Sequence, residues 1–250
     1  HKDDFQTAYG NIATQTIGAI QRTVLNLETS GGNFFFGEPE LDIMDWLTLN
    51  NDGRGMVNLL HGVKLVQSPT LYSTFLLWML SEIYETLPEV GDLDKPKMVF
   101  FFDEAHLLFN SASKALLEKV EQVVRLIRSK GVGIYFITQQ PDDIPDSVLS
   151  QLGHKIQHAL RAYTPKDQKA VKAAAASFRT NPNFDSEQVL GELGTGEALV
   201  SMLDEKGIPT IVERAFILPP QSLLGTVEDD YLQSLIRGDG FDAKYRNMID

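Results

Sequence analysis

The stretch Met98 to Asn110, MVFFFDEAHLLFN, limits the fold of this chain more than any other part of it. A run of five apolar residues leads straight into Asp103 and Glu104, and an amphipathic segment follows. An unbroken apolar run, as opposed to an alternating one, reads as a strand buried on both faces of a parallel sheet. In α/β proteins the chemistry collects at the carboxyl ends of such strands. Two adjacent carboxylates there can divide the work: Asp103 holds a metal ion or its waters, and Glu104 orients an attacking water.

The same pattern recurs downstream. Ser111 or Ser113 caps a helix whose Leu116, Val120, Val123, Val124 and Ile127 face a core, and Gly131 ends it. Gly133 to Thr138 is a second apolar strand, terminating in Gln139-Gln140-Pro141. Lys155 to Leu160 is a third, which leaves Arg161 at its end. Thr164-Pro165-Lys166-Asp167 has the form of a capping box opening an Ala-rich helix that runs to Phe178. Glu197 to Leu203 and Ile208 to Ile217 flank Asp204-Glu205-Lys206-Gly207 as a hairpin.

Upstream, Phe5 to Thr29 carries Ile17, Ile20, Val24 and Leu27 at helical spacing, a stripe expected to pack on a larger body, with Gly31-Gly32 as the stop. Phe34, Phe35 and Phe36 form an aromatic knot. Met56 to Leu60 is expected as an apolar strand. Ser68-Pro69 opens a helix to Leu87 that is apolar nearly all round. The expected division is a helical segment over 1–50, a core over 51–218, and a tail over 219–250 that contacts another subunit or is flexible.

Composition narrows the partners. A net charge of −12 argues against a broadly basic nucleic-acid surface, so any such contact is local. Between His154 and Arg179, six Lys or Arg stand against one Asp. This is either a solvated helix face or a contact for phosphates or an acidic neighbour. The absence of cysteine excludes disulfides and thiolate metal sites and suits a cytoplasmic location. No apolar run reaches the length of a membrane span. His61, His154 and His158 lack metal-ligand spacing, and His106 is read as a packing or hydrogen-bonding residue.

Strand, helix, strand, helix, strand with polar groups at successive strand ends is the layout of a RecA-like nucleotide-hydrolysing core: α/β, with a mostly parallel sheet flanked by helices, plus a C-terminal β-hairpin. Met98 to Glu104 then matches a Walker B element, with Asp103 holding Mg²⁺ through water, Glu104 polarising the water and Gln139 sensing the γ-phosphate. The phosphate-binding loop GxxxxGK[ST] is absent from all 250 residues. In RecA-like order the strand leading to that loop lies between the Gly133 strand and the Lys155 strand. The chain, which starts without Met, is therefore expected to be a piece with a gap in its sheet, unable to bind or hydrolyse ATP alone.

FFFDEAHLLF, VEQVVRLIRSKGVGIYFITQQPDDIP and HALRAYTPKDQKAVKAAA resemble the C-terminal half of the bacterial HerA-like helicase family, relatives of the FtsK and HerA DNA-pumping ATPases. The likeness runs from about Gly10 to Pro220. It implies a cytoplasmic, ring-shaped, hexameric homo-oligomer that uses ATP and Mg²⁺ to move or unwind double-stranded DNA, with active sites between subunits and scope for a nuclease partner. By motif it makes Asp103 and Glu104 the Walker B pair and Gln139 the sensor. It places Arg128 and Arg161, and more weakly Arg125, near the neighbouring subunit's phosphates. Arg128 and Arg125 serve equally as ion-pair partners of Glu121 and Glu118. Two rival classes stay open: a nucleotide-responsive scaffold whose acidic surface binds proteins, and a structural module that uses no nucleotide.

Overall fold

A computed structural model of the chain describes residues 13–32, 37, 39–60, 62–91, 93–110, 112–238, 241 and 244–245. The aromatic knot at Phe34 to Phe36 and the start of the Phe5 helix lie outside these residues. The helices are α1 (Thr14–Leu27), α2 (Val63–Val66), α3 (Pro69–Thr86), α4 (His106–Asn110), α5 (Lys114–Leu126), α6 (Asp146–Leu149), α7 (Pro165–Ala176), α8 (Ser186–Glu192) and α9 (Asp229–Gly238). The strands are β1 (Met98–Phe102), β2 (Val132–Phe136), β3 (Lys155–His158), β4 (Glu197–Ser201) and β5 (Glu213–Phe216). The architecture is α/β. Described residues up to Ile83, with those from Thr226 onward, form one compact unit, and Tyr84–Gly225 form a second.

The second unit holds both sheets. β1 and β2 pair in parallel, with Met98 opposite Val132 and Phe102 opposite Phe136. The crossover between them is α5, whose Leu116, Val120, Val123 and Ile127 are buried at the spacing of one helix face. Ser113 caps α5 by accepting the Leu116 N–H at 3.1 Å. Gly131 stops the chain in a left-handed turn (φ 73°), where an added Cβ would come within 3.0 Å of Val90. The buried Lys130 beside it donates to the Leu87 carbonyl at 2.6 Å, so the strand's approach is fastened to the end of α3.

The expectation that β1 is buried on both faces is not met. Val99, Phe101, Tyr135 and Ile137 are exposed, Phe101 at 65% although it stacks on Tyr135 at 4.8 Å. The other face is only partly covered: Phe102 stacks on Phe136, and Phe109 from α4 tilts against it. A strand is enclosed on both faces when neighbours on both edges carry covering helices, and here each strand of the pair has one neighbour.

β3, β4 and β5 form a separate antiparallel sheet in that spatial order. Its core joins α7 and α8 through Val171, Ala174, Val189, Leu190, Leu199 and Val212. Each fully buried aliphatic side chain contributes about 1.5–3 kcal/mol. β2 and β3 belong to different sheets and are not paired with each other among the described residues. Thr164 and Asp167 cap α7 as a full capping box. Half of the basic residues nearby act on backbone: Lys155 donates to the Ser177 carbonyl, Arg179 to that of Pro209, and Arg161 to two carbonyls after α8. Lys166, Lys169 and Lys172 are exposed along α7.

In the first unit two expectations fail. Met56 to Leu60 is not a strand: Gly55 bridges Leu49, and Val57 and Leu59 beyond it lie 84% exposed. An apolar run without a partner ladder has nothing to hold it extended in a sheet. The α1 stripe is not packed either, for Ile20 and Val24 are exposed and the helix buries no residue. Near the C-terminus Lys244 pairs with Asp45 at 2.6 Å and with Asp42 at 3.4 Å. No described helix is long and apolar enough to cross a membrane.

Candidate active site

The carboxyl ends of β1 and β2 meet through backbone before any side chain is considered. The Ile137 N–H donates to the Phe102 carbonyl at 2.9 Å, and the Ala105 N–H returns to the Ile137 carbonyl at 2.9 Å. Between these two bonds the chain turns sharply at Glu104, whose φ of 51° is the one positive value at a non-glycine among the described residues. Such a conformation persists only where the surroundings impose it. Two restraints are visible. Ala105 is buried and tied to β2, and Asp103 Oδ1 accepts the Glu104 N–H at 3.0 Å.

The turn presents the Glu104 carboxylate to one donor and one close imidazole. Gln139 Nε2 approaches both of its oxygens, at 3.2 and 3.4 Å, and His106 Nδ1 lies 3.2 Å from Oε2. The side chain remains 44% exposed, open to water. Gln139 is placed by the loop after β2. There the Asp143 carboxylate accepts both the Thr138 hydroxyl and the Gln140 N–H, and Pro141 begins a short 3₁₀ turn. The sequence-predicted pair Glu104 and Gln139 is thus brought together from strands separated by a whole crossover.

Asp103 is exposed, and its Oδ1 is engaged by the Glu104 N–H while Oδ2 takes no bond from the described residues. That suits a residue reaching a water of Mg²⁺, an ion that keeps several waters and takes few protein ligands. Consistently, no group of three or more His or acidic side chains that could cage a metal exists among the described residues. The loop GxxxxGK[ST], whose backbone amides cradle a triphosphate, does not occur in these 250 residues.

The arginines are not gathered at this site. Arg128 lies in the 3₁₀ turn that enters β2, at the strand end opposite to Glu104 and Gln139. Arg161 follows β3 and donates to the Gly191 and Leu193 carbonyls, the latter at 2.8 Å. Arg125 is exposed on the last turn of α5. Glu118 pairs with Lys114 at 3.7 Å, and Glu121 accepts the Ser147 hydroxyl.

Asp143 escaped the sequence reading, and for His106, where a packing or hydrogen-bonding role was expected, the partner did. The Asp143 role was legible in principle, because an Asp three residues after Gln140 with Pro between them is a turn-capping pattern. The His106 contact had no signal, since it depends on the positive φ at Glu104.

The family model for the helicase HerA-like C-terminal region matches residues 1–250. This chain belongs to that family. Similarity to individual HerA-like proteins is partial. A probable helicase of Methanocaldococcus jannaschii is 32% identical over 139 residues, which is 52% of this chain and 25% of that protein. The DNA double-strand break repair helicase HerA of Sulfolobus acidocaldarius is 31% identical over 112 residues, 44% of this chain and 21% of that one. The match therefore spans a quarter or less of the length of these relatives. The DNA-packaging ATPase of Sulfolobus turreted icosahedral virus aligns over 48% of this chain and 52% of its own, with 17% identity and a TM-score of 0.34. The α/β class and the parallel pair flanked by helices are what the sequence led one to expect of a HerA-like core.

Proposed function

We propose that this chain carries the hydrolytic half of a HerA-like ATPase whose other half, the phosphate loop, is contributed by a segment outside these residues. The observation that carries the reading is the convergence of Glu104 and Gln139, with Asp103 adjacent, at the carboxyl ends of two parallel strands. Bound MgATP would supply the γ-phosphorus electrophile and neutralise its developing charge. On this chain, Asp103 would hold Mg²⁺ through water, Glu104 would accept a hydrogen bond from the attacking water, and the Gln139 amide would face the γ-phosphate. Arg128 and Arg161 serve a neighbouring subunit of a hexameric ring that moves double-stranded DNA. For Arg161 that requires exchanging at least one of its carbonyl partners. The 250-residue chain alone is inactive, because it has no cradle for the phosphates.

In the whole protein, Glu104→Gln keeps the carbonyl acceptor and removes the charge. It leaves ATP binding intact and lowers turnover by about 10²–10⁴-fold. Equilibrium binding of a labelled nucleotide together with phosphate release measures both, and unchanged turnover overturns the water-activating role. The net charge of −12 favours a second reading, a nucleotide-responsive scaffold with protein partners. ATPase activity stimulated by DNA distinguishes the first reading from the second.

A further inference from the structure

We propose that His106 is a positioning residue that holds the Glu104 carboxylate in its working orientation once Gln139 turns away. The inference rests on the hydrolytic reading of Glu104 given above.

Glu104 is gripped from two sides by groups of different origin. Gln139 reaches it from the loop after β2, whereas His106 opens α4 two residues along the same chain. Side chains two apart do not face each other on a helix. The 3.2 Å approach of Nδ1 to Oε2 exists because Glu104 adopts φ 51° and folds the chain back on itself. The inference runs from the observed outlier to a role, since a bulky residue held in this region marks a constraint that the surroundings maintain. A carboxylate can only accept, so His106 can hold it through Nδ1 only as a donor.

The two partners differ in what they can do next. A glutamine that senses a phosphate must aim an N–H of its amide at it, and the amide that now reaches both Glu104 oxygens gives up at least part of that contact when it does so. When it leaves, Glu104 loses its contact across the strand pair. His106 stays, because it belongs to the same turn and needs no rearrangement. Its Nδ1 lies against Oε2 and leaves Oε1 to receive the water. Base, acceptor and orienting donor then stand in the relation that activated nucleophiles require, with the third group fixing the second. With His106 28% exposed and Glu104 44% exposed, the pair is reachable by the water it acts on.

The experiment uses the whole protein and reads kcat and KM for ATP together with nucleotide affinity. Asparagine carries its amide nitrogen where the imidazole carries Nδ1, glutamine carries it nearer Nε2, and leucine has no donor. His106→Leu and His106→Gln are expected to lower kcat by about 10–100-fold with KM and affinity within twofold, and His106→Asn to recover most of kcat. In the Glu104→Gln background, His106→Leu should cost nothing further. If His106→Asn is as impaired as His106→Leu, or if KM rises in step with the fall in kcat, the residue acts through packing and the proposal is wrong. Unchanged kcat in His106→Leu, with Glu104→Gln inactive, overturns this inference alone. Turnover retained by Glu104→Gln overturns the hydrolytic reading with it. Should His106→Leu fail to fold, the comparison of the Asn and Gln variants decides.

Discussion

Glu104 is in a backbone conformation that a glycine would adopt at lower cost, so stability and the proposed water-activating role pull in opposite directions at this residue. A non-glycine residue in the left-handed region costs roughly 1–2 kcal/mol, while glycine costs the folded state about 0.4–1 kcal/mol through the freer unfolded chain. Glu104→Gly is therefore expected to leave the 250-residue chain as stable as before or up to about 1 kcal/mol more so, a rise of at most ~4 °C in Tm. Glu104→Val, with a branched Cβ, should lower it. Thermal unfolding of both variants checks the pair of signs, and a clear loss of stability in Glu104→Gly contradicts the strain. At this scale the sequence disclosed what depends on position along a strand: Glu104 and Gln139 each follow an apolar run, and parallel pairing sets them side by side. It could not disclose the partner of His106, whose contact follows from one dihedral angle, nor the Arg161 bonds to Gly191 and Leu193, which follow from the segment after β3 meeting the end of α8, where the Leu160 N–H donates to the Leu190 carbonyl.

Among the elements, the antiparallel sheet shows how a few polar groups fasten a short strand. Glu197 at the start of β4 accepts Arg214 Nε at 2.9 Å and its Nη2 at 2.7 Å, and also takes the Gly194 N–H at 2.6 Å. The Arg214 guanidinium first, and the Gly194 amide second, hold the Glu197 carboxyl below its ordinary 4.5. A carboxyl depressed by folding adds stability that is fully present above its unfolded value and is lost as pH falls through the folded one. Glu197→Gln should therefore be less stable than the parent at pH 7, with the difference shrinking as the solution is acidified below about pH 4. Urea midpoints at a series of pH values test this, and a gap independent of pH would assign the loss to shape. Elements built on apolar period and capping residues were legible: α5, α7, and the strands β1 to β4 lie where the pattern puts them. Met56 to Leu60 and the α1 stripe were misread for a common reason. An apolar pattern states that a segment has a face to bury, and only the tertiary partner determines whether it is buried.

At the level of the whole molecule, the described structure has surfaces that a finished α/β core does not leave open. β2 lacks a neighbour on the side away from β1, and β3 lacks one on the side away from β4. Phe101 and Tyr135 stack on each other in solvent on a face of the parallel pair. Unpaired strand edges carry backbone groups that a further strand can satisfy, and aromatic faces gain free energy when covered. The sequence points to one occupant of the gap between β2 and β3, the strand that precedes a phosphate loop. In a longer protein containing GxxxxGK[ST], the amides of Val132–Phe136 and Lys155–His158 that face this gap should exchange with solvent at least about tenfold more slowly than in the 250-residue chain. Amides of β4, paired on both sides within the described residues, should change little. Hydrogen exchange followed by fragment mass analysis compares the two proteins directly. Equal exchange at β2 and β3 would mean that such a segment docks elsewhere, and would remove the proposed phosphate cradle from beside Glu104 and Gln139.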